Sequence, residues 1–152
     1  MLKTDESEPI PDYAARRWAA ALVCVCTARK DISTVKEWSD ALHAGHSTVR
    51  AWCRAAQISP KASLDCGRLV RLIIQSKCRE TDLQSLLNIV DRRTVARLLK
   101  RAGIGDSLTS VPRSVRQFLA TQACVRSDAN RCALMKAIEG RFAPGDREST
   151  AL

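Results

Sequence analysis

A chain of 152 residues with 45% hydrophobic content has room for one or two compact domains with an ordinary core, which excludes a disordered tail. The formal net charge is +9, and between Tyr13 and Phe142 there are 23 Lys and Arg against 10 Asp and Glu, a balance of +13. A surplus of that size on a small domain is the electrostatic footprint of a polyanion binder.

Residues 1–10 are acidic and read as a flexible tail. The first helix is expected to start after Pro11 and run to about Lys30. It carries Trp18, Leu22, Val25 and Cys26 on one stripe, has Arg16, Arg17 and Arg29 outside it, and braces the unit that follows. Thr34 and Glu37 fit a capping box, so a second helix is expected over Val35 to His43. Gly45 supplies a break, and Ser47 can cap a third helix over about Thr48 to Gln57. On a twenty-residue helix-turn-helix template with Thr48 at place fourteen, the apolar places four, eight, fifteen and eighteen receive Trp38, Leu42, Val49 and Trp52. Ser39 fills the small-residue place five. His43 stands at place nine, where glycine is usual because a positive φ is wanted, so the turn is expected nearer Gly45.

A long amphipathic helix from Lys61 to about Lys77 follows, with Leu64, Leu69, Leu72 and Ile73 apolar and Arg68 and Arg71 as cations. Its length, on the order of 25 Å, suits a spacer between two DNA-reading heads. The second unit has Thr81 and Asp91 as caps, Leu83, Leu86 and Leu87 as core residues, a helix over Arg92 to Ala102, and Gly103 as its stop. Residues 47–58 and 93–104 read as two copies of one helix, offset by 46 positions, with Thr, Val, Ala and Ile recurring. A helix from Ser110-Val111-Pro112 to about Cys124 and another from Ser127-Asp128 to Glu139, stopped by Gly140, complete an all-α chain of seven to eight helices. The expected organisation is a tail over 1–10, a first unit with bracing and linker helices over 11–78, a second unit over 79–106, a helical pair over 107–142, and a flexible tail over 143–152.

Outward places on the first recognition helix hold His46, Ser47, Arg50, Ala51 and Arg54. A guanidinium pairs bidentately with guanine O6 and N7, so Arg50 is the expected base reader. His46, Ser47 and Thr48 stand at the helix start, where side chains and N–H groups meet bases or phosphate. Arg54 and Lys61 are expected on the DNA backbone. In the second unit Arg92, Arg93 and Arg97 are groove candidates and Lys100 and Arg101 phosphate candidates.

The aromatics fall at helical core spacing rather than on a stacking platform, which disfavours single-strand and aromatic-sheet RNA binding. Seven Cys (24, 26, 53, 66, 78, 124 and 132) with no signal peptide point to a reducing cytoplasm, and most fall where small core residues are expected. The longest apolar run, Ala19 to Cys26, is too short to cross a bilayer. The metal alternative is a zinc site from His43, His46 and Cys53, without any paired CxxC. No nucleophile arrangement, paired carboxylates or glycine-rich phosphate loop suggests an enzyme or a cofactor.

The residues ThrValLysGluTrpSerAspAla (34–41), SerThrValArgAlaTrpCysArgAlaAlaGlnIleSerProLys (47–61), ArgLeuValArgLeu (68–72) and ArgThrValAlaArgLeuLeuLysArgAlaGlyIle (93–104) together resemble the DNA-binding domain of AraC/XylS-type bacterial transcription regulators. The resemblance implies two recognition helices in successive major grooves of double-stranded DNA, in the bacterial cytoplasm at the nucleoid. The family's glycine and aromatic signature is missing from the second unit, some 40 residues follow it, and no ligand-binding β-domain precedes the first, so no effector-gated switch is expected in this chain. A homodimer or a separate regulatory protein is the further partner expected. The rival reading is a helical interaction or dimerisation module using residues 110–142; a cysteine-based redox or zinc sensor is a third.

Overall fold

Seven helices and no strand make up the residues described in the computed structural model, which are 11–78, 92–102, 114–121 and 125–141. The all-α expectation holds. The two tails, the first helix of the second unit with its caps, Gly103, Ser110-Val111-Pro112 and Cys124 lie outside these residues, as do the side chains of Cys78 and Arg92.

Helix α1 (Asp12–Cys26) is the centre of the molecule rather than a brace over one unit. Consecutive residues Ala21, Leu22 and Val23 are all buried, so the helix is enclosed on several sides at once. Its small residues Ala14, Ala15, Ala19 and Ala21 let neighbours approach closely. The helix stops at Cys26, four residues earlier than expected. Thr27 turns its hydroxyl back onto the Val23 carbonyl at 2.8 Å, and buried Arg71 then donates Nε to the Ala28 carbonyl (2.8 Å) and a terminal nitrogen to that of Arg29 (2.6 Å). Carbonyls left over at a helix end need such partners.

Helix α2 (Val35–Leu42) opens on the expected capping box: Thr34 Oγ1 accepts the Glu37 N–H at 3.0 Å, and Glu37 reaches back to the Ser33 N–H at 2.9 Å. Trp38 is fully buried and donates its indole N–H to the Ala21 carbonyl at 2.9 Å, tying α2 to α1. The turn centres on His43, not on Gly45. His43 takes φ 56°, its N–H reaches Asp40 and the Ala44 N–H reaches Ser39, which is a Schellman ending with a histidine in the left-handed place. Gly45 instead caps helix α3 (His46–Ala55), which starts two residues before the expected Thr48 and has no side-chain cap, so Ser47 lies inside it. Gln57, at φ 61°, ends α3 in the same way, with Ile58 N–H on the Cys53 carbonyl at 3.1 Å. Left-handed geometry strains a residue with a Cβ by about 1 kcal/mol. His43→Gly is therefore expected to raise stability by roughly 0.5–1 kcal/mol in urea unfolding; a loss would show that the imidazole makes up for its strain.

Helix α4 (Pro60–Cys78, 19 residues) starts at Pro60 under a Ser59 cap, whose Oγ accepts the Ala62 N–H at 3.0 Å. It crosses α1 so closely that a Cβ on Gly67 would lie 2.9 Å from both Leu22 Cδ1 and Val25 Cγ1. Arg68 and Arg71, read from the sequence simply as cations, point inward: Arg68 forks onto Asp31, with Nε–Oδ1 at 2.9 Å, beside the α1 ending that Arg71 holds. Far from being a bare spacer, α4 is a core element. No helix among the described residues is long and apolar enough to cross a membrane.

Helix α5 (Arg92–Ala102) has the expected bounds and packs Leu98 and Leu99 into the core against α4. Helix α6 (Val115–Ala120) begins under a Ser114 cap and ends before Thr121, shorter than the expected run to Cys124. Helix α7 (Asp128–Arg141) is capped by Ser127 as expected but continues through Gly140, which is exposed with no close neighbour, to Arg141, whose guanidinium donates to Thr27 Oγ1 at 3.2 Å. The face of Ala133, Leu134 and Ile138 lies along α1, and an Arg116 to Glu139 ion pair ties α6 to α7. One apolar cluster thus runs from α1 to α7, and among the described residues Val115, Phe118 and Leu119 of α6 and Ala133, Leu134 and Ile138 of α7 are buried in it.

Candidate nucleic-acid interface

Val49, Cys53 and Ala56 are buried and set the inward direction of α3. At about 100° per residue, Ser47 and Ala51 fall at the centre of its outward face. Arg54 lies about 50° to one side of that centre and Arg50 about 90° to the same side, while Trp52 lies about 110° to the other. All of these except half-buried Trp52 are exposed, as are His46 and Thr48 at the helix start. Of the two arginines, Arg54 is the more central, although the sequence reading gave the base to Arg50. Arg50 and Arg54 instead share the wall of a depression of about 350 Å³, closed by Gln57, Ile58, Ser59 and Pro60 at the junction of α3 and α4. Lys61 follows at once, exposed.

No protein-family model, curated protein or solved structure matches the chain.

On α5 the inward residues Leu98 and Leu99 leave Arg93, Arg97 and Lys100 in one outward strip, all exposed. The groove candidates Arg93 and Arg97 and the phosphate candidate Lys100 thus share one face, while the side chain of the groove candidate Arg92 lies outside the described residues. Arg101 leans toward α4 and forks onto Asp65, Nε–Oδ2 2.9 Å and a second bond at 3.0 Å, so its guanidinium docks α5 rather than standing free. Asp65 lies one helical turn from Lys61 along α4.

The charge pattern has a simple cause. Seven Asp and Glu occur among the described residues, and every one is engaged internally. Asp12, Asp31, Asp40, Asp65, Asp128 and Glu139 pair with Arg16, Arg68, Lys36, Arg101, Arg131 and Arg116, and Glu37 closes the capping box. Arg50, Arg54, Lys61, Arg97 and Lys100 have no carboxylate partner among the described residues. Their charge is uncompensated on the surface.

The three residues of the zinc alternative do not converge. Cys53 is fully buried, 3.7 Å from Ser63 Oγ, whereas His43 and His46 are exposed, and no group of three metal-ligating side chains occurs among the described residues. Burial pushes the Cys53 thiol above its ordinary pKa, against smaller opposing effects of the Ser63 hydrogen bond and Arg50. Cys26 and Cys66 are also core residues and Cys24 is half-buried, but Cys132 is exposed, a departure from the expected core role. The inward face of α7 is made by Asn130, Ala133, Leu134 and Ile138, which leaves position 132 on the opposite side. Alkylation of the native protein with site-resolved mass spectrometry is expected to label Cys132 first and to spare Cys53 and Cys66 until unfolding. Early labelling of Cys53 would mean that the α3 core opens readily.

What sequence reasoning missed is the link from α7 to α3. Asn130, buried, donates Nδ2 to the Ala56 carbonyl at 2.9 Å and so holds the last turn of α3 from a helix 74 residues away. No local pattern signals it.

Proposed function

We propose that the chain binds double-stranded DNA, with α3 in the major groove, as a transcription regulator of the bacterial cytoplasm. The carrying observation is that every described carboxylate is consumed internally while Arg50, Arg54, Lys61, Arg97 and Lys100 remain uncompensated. Exposed cations of this kind release counterions from phosphates. Small polar and cationic residues on the outward face of α3 fit base edges better than an apolar partner, since Tyr13 is the one exposed large hydrophobic residue among those described. The resemblance to AraC/XylS-type DNA-binding domains supports the same reading, and α5, with its cationic strip, then serves as a second contact on the DNA backbone.

Selection from a random duplex library followed by sequencing tests it. The unmodified protein should enrich a motif. Arg54→Ala should cost about 1–3 kcal/mol and relax one position of that motif, whereas Lys100→Ala should weaken all sequences alike. Arg50→Ala decides whether that flank reads a base or grips phosphate. Absence of any enriched motif would refute sequence-specific binding.

A further inference from the structure

Arg17 and Tyr13 stand one turn apart on the exposed strip of α1 and therefore on one face. Neither is explained by the fold. Tyr13 is 66% exposed, although a tyrosine ring is normally at least partly covered. Arg17 has no carboxylate partner among the described residues, whereas the adjacent Arg16 is paired with Asp12 at 2.8 Å. Instead the Arg17 guanidinium carbon lies 5.9 Å from the centroid of the Trp52 ring, a cation–π arrangement that limits the side chain's freedom and leaves its N–H groups unfilled. Trp52 is on the flank of α3 opposite to Arg50 and Arg54.

A helix lying in the major groove has a phosphate strand along each side. Arg50, Arg54 and Lys61 supply cations on one side of α3. On the other, α3 itself offers only Thr48, Trp52 and Ala55, so a contact there has to come from a neighbouring helix, and α1 packs against α3. We propose that Tyr13 and Arg17 form a second phosphate-binding site that grips the strand on the far side of α3, Arg17 as the charged donor held by Trp52 and Tyr13 as a hydroxyl donor. Both are side-chain types that contact DNA phosphate. The inference rests on the DNA-binding reading above.

The test uses duplex binding of the full chain over a range of salt, with phosphate-ethylation interference. Arg17→Gln should make the log-log salt slope shallower by about 0.9, the share of one phosphate, so that the loss of affinity between roughly 50 and 200 mM salt shrinks about three- to fourfold. Tyr13→Phe, which removes only the hydroxyl, should weaken binding with the slope unchanged. Trp52→Phe keeps a ring under the guanidinium and should behave nearly as the unmodified protein. Ethylation of one strand should cease to interfere for Arg17→Gln, and ethylation of the other strand for Lys61→Gln. Arg17 and Tyr13 are surface residues, so melting temperatures should match that of the unmodified protein. An unchanged slope and interference pattern for Arg17→Gln, while the unmodified protein binds in a salt-dependent way, would overturn the site alone. Absence of salt-dependent duplex binding by the unmodified protein would overturn both the site and the reading beneath it.

Discussion

Affinity for random duplex DNA is expected to fall on the order of a thousandfold between roughly 50 and 200 mM salt. Six cations on α1, α3, α4 and α5 (Arg17, Arg50, Arg54, Lys61, Arg97 and Lys100) lack a carboxylate partner among the described residues. If each meets one phosphate, the log-log slope is about −5. Changing Arg50, Arg54 and Lys61 together to Gln should bring it to about −3, with a loss of affinity that is largest at low salt. The variant should melt as the unmodified protein does, because none of the three holds an internal partner. A flat salt response in a mobility-shift titration would remove the electrostatic basis of the proposed function. A variant slope unchanged from the original would relocate the contact to α1 and α5.

The second large effect is on stability. Trp18 is fully buried and donates its indole N–H to Ser63 Oγ at 2.9 Å, and Ser63 in turn donates to the Ser59 carbonyl at 2.8 Å, with Cys53 Sγ 3.7 Å away. One side chain of α1 thereby organises the start of α4 and the buried side of α3. Trp18→Ala should cost about 3–5 kcal/mol, through lost transfer energy and the cavity left where three helices meet. Against a total on the order of 5–15 kcal/mol, that brings the fold close to failure. Trp18→Phe keeps most of the volume and removes one donor, for a cost of about 1 kcal/mol. Urea unfolding followed by helical circular dichroism gives both values. Equal losses for the two variants would mean that the hydrogen bond, not the ring volume, holds the junction.

The same distinction between local and distant partners separates what was legible in the sequence from what was not. The Thr34 and Glu37 capping box, the bounds of α5, the Ser127 cap and the burial of Trp38, Val49, Leu69 and Ile73 were readable because the determining groups lie within a few residues of one another. Helical periodicity likewise exposed Ser47, Arg50 and Arg54 as outward residues of α3. An apolar stripe says that a face is covered, not by what. The anchoring of α3 by Asn130 and the inward turn of Arg68, Arg71 and Arg101 depend on partners from 36 to 74 positions away, and the enclosure of α1 by α7 joins residues as far apart as the 114 positions between Thr27 and Arg141. A cation's sequence context does not reveal whether a carboxylate or an orphan carbonyl awaits it. The sequence by itself therefore determined the all-helical class, the Thr34 and Ser127 caps and the surplus of positive charge. Only the tertiary structure decided which arginines are consumed in holding helices together and which remain free on the surface, because that choice is made by long-range pairing in the folded chain.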